Sequence, residues 1–196
     1  MILLDGKKLA DEILVDVKEK IAVLPKKPKL VIFFVESGQK DVDVPTLNFI
    51  LQKKRSGEKI GAEIEIREFG YIGKEELAQE VRKAGNDSSV DGIIVQLPIP
   101  GISYEDREAV LDHIPLGKDV DVLSGSAMGQ RFRHMRESVW PPIVSAVRRF
   151  FEAYNIDYKK KQTVIVGRGK LVGSAIDTWF KRPDEDIGPL LSRKIL

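Results

Sequence analysis

The run from Leu30 to Val35 reads leucine, valine, isoleucine, two phenylalanines and valine, and it constrains the fold more than any other stretch. It carries no polar residue until Glu36 and is short for a helix, so it reads as a strand buried on both faces. Such a strand needs helices above and below it, and that arrangement belongs to parallel sheets. Two more β-rich stretches follow. "AEIEIREF", residues 62–69, alternates in character, and "VDGIIVQL", residues 90–97, holds another β-branched run. Helical patterns separate the three. Residues 45–60 have Pro45 near the first turn and Gly61 placed as a C-terminal cap; residues 74–85 have acidic side chains early and Lys83 late. This alternation predicts βαβ units and a three-layer α/β domain around a parallel sheet.

Leu9, Ile13, Leu14, Val17 and Ile21 recur at helical spacing, which predicts a helix over residues 7–24, and "PKKPK" then links it to the first strand. "SGQKDVD", residues 37–43, reads as a loop. Residues 104–114 read as a helix. Residues 115–138 show no periodicity, and a loop of that length inside a compact domain is often functional. Residues 141–156 form a helical pattern opened by proline, and "TVIVGRGKLVGSA" continues as strand, glycine turn and helix. Residues 183–196 carry no clear pattern. The natural boundary falls near residues 140–160, giving an α/β domain over 1–140 and a second, smaller unit over 141–196.

The charge balance, 32 basic against 30 acidic residues for a net +2, gives no electrostatic reason to expect nucleic acid or a membrane surface as partner. No cysteine is present, which excludes disulfides, thiol nucleophiles and cysteine metal sites and fits a reducing compartment. His113 and His134 stand apart from each other, so no metal site is expected. The opening "MILLDGKKLADE" lacks the long apolar core of a signal peptide, and no apolar run could span a bilayer. The expectation is a soluble, cytoplasmic protein.

Four groups of residues stand out as candidate chemistry. Gln96 lies where a parallel strand ends, and open α/β sheets bind ligands at their carboxyl ends. Pro98 and Pro100 would hold the following loop rigid. The plainer alternative is that Gln96 only caps the strand by bonding loop backbone. Phe49 and Lys53, four apart on a helix, share one face. A lysine beside an aromatic can be partly desolvated and tuned for proton transfer, although most lysines in so charged a helix end are simply solvated. Asp119 and Asp121 alternate with valines, so in an extended segment both carboxylates would point the same way, either toward a ligand or into backbone caps. Gly167, Gly169 and Gly173 follow a strand and open a helix, the setting for a phosphate on a helix N-terminus, with a spacing one residue away from the usual dinucleotide fingerprint.

Taken in order, "LDGKKLADEI", "VDGIIVQLPIP", "KDVD" at 118–121 and "VIVGRGKLVGSA" resemble the bifunctional methylene-tetrahydrofolate dehydrogenase/methenyl-tetrahydrofolate cyclohydrolase family, from the N-terminus to about Phe180. The resemblance implies a folate-binding catalytic domain over 1–140 and a truncated, Rossmann-like dinucleotide-binding βα unit over 141–196. It also implies roles. Lys53 lies on the family's catalytic lysine, Gln96 on the glutamine that orients it, and Asp121 on the aspartate that contacts the pterin ring. Phe49 and Pro98 fall in the substrate cleft, and Gly167, Arg168, Gly169 and Gly173 in the cofactor turn. Tetrahydrofolate would be the substrate and NADP or NAD the cofactor; separately, the apolar residues of 162–182, without the rest of a Rossmann sheet to cover them, lead to the expectation of a homo-oligomer, a dimer.

The sequence also departs from the family pattern. Phe49 replaces a tyrosine and so lacks its hydroxyl, Val122 replaces a glycine, and Gly169 and Ala175 replace a serine and a proline in the cofactor turn. Family members continue for roughly another hundred residues. The expectation is therefore that hydrolysis of methenyl-tetrahydrofolate to formyl-tetrahydrofolate survives while hydride transfer is impaired. The alternative is a non-catalytic folate-binding or assembly protein.

Overall fold

The structure is a computed structural model that describes residues 3–125, 140–158, 161, 163–167, 169, 171–181 and, for the backbone alone, 194–195. The chain divides into two compact units, one from Asp11–Gln130 and one joining Met1–Ala10 to Arg131–Leu196. The division falls within the first helix, α1, Gly6–Ala22.

The larger unit is built on three parallel strands, β1 (Lys29–Val35), β2 (Glu63–Phe69) and β3 (Gly92–Val95), in the order β2-β1-β3. Val31 lies opposite Glu65 on one side and Ile93 on the other, so the apolar run occupies the centre of the sheet. Its residues sort by parity, as side chains on a strand must. Val31, Phe33 and Val35 pack with Leu77 and Val81 of α3 (Lys74–Asn86) and with Val110 and Leu111 of α4 (Tyr104–Leu111). Ile32 and Phe34 face the other way, onto Ile50 of α2 (Lys40–Ile60). Two cores on opposite faces make the three layers.

The expected helix at 45–60 is longer. It starts at Lys40, so Pro45 lies inside α2 and residues 40–43 of the expected loop are helical. Asp41 and Asp43 in the first turn suit the positive end of the helix dipole. Asp43 Oδ1 also accepts from Ser37 N and Ser37 Oγ, both at 2.8 Å, tying the helix start to the end of β1. At the other end Gly61 is left-handed, with φ 93°, and its N–H donates to Glu58 O at 3.1 Å.

In the smaller unit α5 (Pro142–Ala153) begins with proline at its start, and α6 (Gly173–Phe180) packs with it. Phe151, Tyr158, Trp179 and Phe180 form the core, with ring centroids 4.7 Å apart for Phe151–Tyr158 and 5.2 Å for Tyr158–Trp179. Residues 3–10 contribute here: Asp5 N donates to Tyr154 Oη at 2.7 Å. The short strand β4 (Val164–Ile165) pairs in parallel with β5 (Lys194–Ile195). This places a strand in the patternless last stretch and completes a minimal βαβ around α6.

Candidate functional site

The candidate site gathers where α2, the end of β3 and the segment after α4 meet. Gln96 follows β3, with its N–H donating to Phe33 O at 2.9 Å. Its side chain makes the backbone cap and also reaches the lysine. The amide nitrogen donates to Leu97 O at 2.9 Å, capping the loop, while Oε1 accepts from Lys53 Nζ at 3.2 Å. The Leu97–Pro98 bond is cis, and Pro98 is exposed on the loop beyond it.

Lys53 projects from α2 on the same face as Phe49, and Nζ stands 4.7 Å from the ring centroid, a cation–π distance. Asp121 Oδ2 lies 3.5 Å from the same nitrogen. Both partners are partly buried, with side-chain exposures of 21% for the lysine and 26% for the aspartate. The ammonium therefore meets a neutral acceptor, an anion and an aromatic face. Phe49 is 52% exposed, which leaves its ring open for a flat ligand to stack on.

The two aspartates of "KDVD" do not point the same way. Asp121 faces Lys53, whereas Asp119 is 2% exposed and accepts from Leu123 N at 3.3 Å, Ser124 N at 3.0 Å and Ser124 Oγ at 2.8 Å. The strand pattern stops at Asp119, which bridges to Ile93, and the chain then turns. Val122 completes the turn with φ 56°, in the left-handed region. Lys118, which opens this motif, donates through Nζ to Gly85 O at 2.8 Å and Asp87 O at 2.6 Å.

Beside the site, hydrogen bonds from Ser37 hold the Asp43 carboxyl below the usual carboxylate range. Glu36, just after β1, is raised above it, chiefly because the Glu68 carboxyl shares a hydrogen bond with it and secondly by desolvation.

In the smaller unit, Gly167 has φ 106°, and among the described residues, chain neighbours aside, none has a heavy atom within 4 Å of where a Cβ on Gly167 or Gly169 would sit. Gly169 O accepts from Ser174 N at 3.1 Å, folding the turn onto the first residues of α6, and Gly173 is buried at the helix start. Arg168 and His134 lie outside the described residues. His113 Nε2 sits 3.3 Å from Arg82 Nη2, away from the lysine group.

Fold and geometry together define an open α/β protein with a lysine-centred candidate site at the carboxyl ends of a parallel sheet. The chain belongs to the tetrahydrofolate dehydrogenase/cyclohydrolase family, whose catalytic-domain profile matches residues 4–121. It is 32% identical over 178 residues to the bifunctional protein FolD of Hydrogenobaculum sp., covering 90% of this chain and 62% of that one. With FolD of Enterococcus faecalis the identity is 30% over 174 residues, covering 87% and 59%. Among solved structures, the FolD dehydrogenase/cyclohydrolase of Campylobacter jejuni superposes with a TM-score of 0.86 at 26% identity, covering 100% of this chain and 67% of that one. The Trypanosoma brucei enzyme, solved with NADP cofactor and an inhibitor, gives 0.80 at 25% identity, covering 90% and 60%. The chain thus spans about 60% of the length of the curated relatives it matches.

Proposed function

We propose that the chain interconverts folate one-carbon units at the Lys53 site, with hydrolysis of methenyl-tetrahydrofolate to formyl-tetrahydrofolate as its main reaction. The observation that carries this is the placement of Lys53 Nζ between Gln96 Oε1 at 3.2 Å and Asp121 Oδ2 at 3.5 Å. The methenyl bridge is a cationic C–N unit. Water adds to its carbon and loses a proton, the new hydroxyl gives up its second proton as one C–N bond breaks and the formyl C=O forms, and the departing nitrogen takes one proton, so one proton is released overall. Lys53 Nζ is placed to hold and move that proton while Gln96 fixes its direction. Phe49 offers the stacking face, Pro98 shapes the cleft, and Asp121 accepts from the pterin ring.

The division into a folate-binding domain over 1–140 and a dinucleotide-binding unit over 141–196 is part of the proposal. The open backbone at Gly167 and Gly169 fits a phosphate, which Gly167, Gly169 and Gly173 would hold. Bound there, NADP supplies a hydride acceptor. Gly169 and Ala175 stand where the family pattern has a serine and a proline, which removes a hydroxyl from the turn, so hydride transfer is proposed to be the weaker activity. We also propose a cytoplasmic location.

The test is methenyl-tetrahydrofolate absorbance, comparing the chain and its Lys53→Ala variant with spontaneous hydrolysis. Expected is acceleration that falls by about 10²–10⁴ in the variant, with an unchanged melting temperature. Equal rates in both would remove Lys53 from the mechanism. Phe49 favours one other reading: a ring over Lys53 without a hydroxyl can bind folate and turn over nothing. Folate binding with no acceleration by the unmodified chain would select it.

A further inference from the structure

We propose that Asp119 is a positioning residue for the Lys53 site: its buried carboxylate closes the turn that presents Asp121 to the lysine. The proposal rests on the functional reading of that site given above. Asp121 and Lys53 are both partly exposed and 3.5 Å apart, and an ion pair of that kind is too weak to set its own geometry. The geometry must come from the backbone.

The backbone is fixed on both sides of Asp121. Before it, Ile93 N donates to Lys118 O at 2.7 Å, and Lys118 Nζ reaches two carbonyls at the end of α3. After it, Gly125 N donates to Asp112 Oδ1 at 2.7 Å, beside the end of α4. Between these anchors the Asp119 carboxylate gathers Leu123 N, Ser124 N and Ser124 Oγ, drawing residue 119 to residues 123 and 124. Hydrogen bonds to a buried carboxylate are stronger than a partly exposed ion pair at 3.5 Å. Asp121 lies within the loop so closed.

Val122 supplies an independent sign that the turn is over-determined. A β-branched residue resists φ 56° and persists there only when its surroundings leave no alternative. Its side chain is buried, as is that of Ser124. Asp119 itself is 2% exposed and bonds to its own turn, so it acts through Asp121 rather than on substrate.

The test uses the full chain with Asp119→Asn, Asp121→Asn, the double variant and Ser124→Ala. Two readouts are followed: methenyl-tetrahydrofolate hydrolysis, and the rate at which Lys53 is acylated by an amine-reactive ester, measured by mass spectrometry. Asp119→Asn is expected to lower hydrolysis about tenfold, as misplacement of a site group does, and to raise Lys53 acylation to the level of Asp121→Asn. The double variant should match Asp121→Asn alone in both readouts, because the two residues act on one contact. Multiplying effects, or Lys53 acylation unchanged in Asp119→Asn, would overturn the proposal. Should Asp119→Asn fail to fold, Ser124→Ala decides: faster Lys53 acylation supports the role, and wild-type acylation overturns it. If the unmodified chain hydrolyses nothing, the functional reading fails, yet the acylation readout still decides the positioning.

Discussion

Gln96 shows how far a residue can be read before its surroundings are known. The sequence leaves open a backbone cap or a site amide; the cap is present, with the nitrogen on Leu97 O, and the oxygen of the same side chain is turned to Lys53. Phe49 and Lys53 were legible from helical spacing alone, and they meet as a cation–π pair. Asp121 was legible as well, but its divergence from Asp119 was not, because alternation holds only while the chain stays extended and here the chain turns. Val122 makes that turn testable. At an ordinary position glycine is about 0.5–1 kcal/mol less stable than alanine. At φ 56° the order should reverse, since alanine keeps the left-handed strain of about 1–2 kcal/mol that glycine escapes. Denaturant unfolding of Val122→Gly and Val122→Ala checks this, and the ordinary order would mean the residue is unstrained.

Among the elements, β1 was unmistakable and α2 was misjudged at its start. Periodicity locates the apolar face of a helix but not its first turn, which here is polar and held by Ser37 against Asp43. That end of the sheet should also respond to pH, in two opposite senses. Glu36 has a folded-state pKa above its unfolded value, so the folded state binds more protons in that window and stability falls as pH rises through it. Asp43 is depressed, so its contribution is present above the usual aspartate range and is lost as pH falls through its folded value. Glu36→Gln is therefore expected to raise the melting temperature at pH 7 and to lose that advantage near pH 4, whereas Asp43→Asn should lower it at pH 7. Melting curves at both pH values distinguish the two, and a pH-independent gain from Glu36→Gln would contradict the shared proton with Glu68.

For the molecule as a whole, strand–helix alternation foretold the parallel sheet and its covering layers, because burial on both faces of β1 admits few architectures. The last stretch was opaque for a complementary reason: a two-residue strand leaves no periodic trace, and β5 is recognisable only by its partner β4. Around that small sheet Val164, Val166, Leu171 and Val172 remain exposed, Val166 by 81%. Exposed apolar side chains gathered in one short stretch are commonly covered by another chain. The expected state is a homodimer, read by sedimentation as the mass of two chains, with slow amide exchange across residues 164–172. A monomer with fully protected amides there would contradict it.

The placement of residues 3–10 has a consequence in time as well as in space. They are synthesised before the unit spanning Asp11–Gln130, yet Asp5 bonds to Tyr154 and Gly6 lies against Phe150, far later in the chain. Domains fold largely as units during synthesis, the N-terminal one first. The larger unit can thus be complete on the ribosome while the segment ahead of it still waits for Phe150 and Tyr154 to be made.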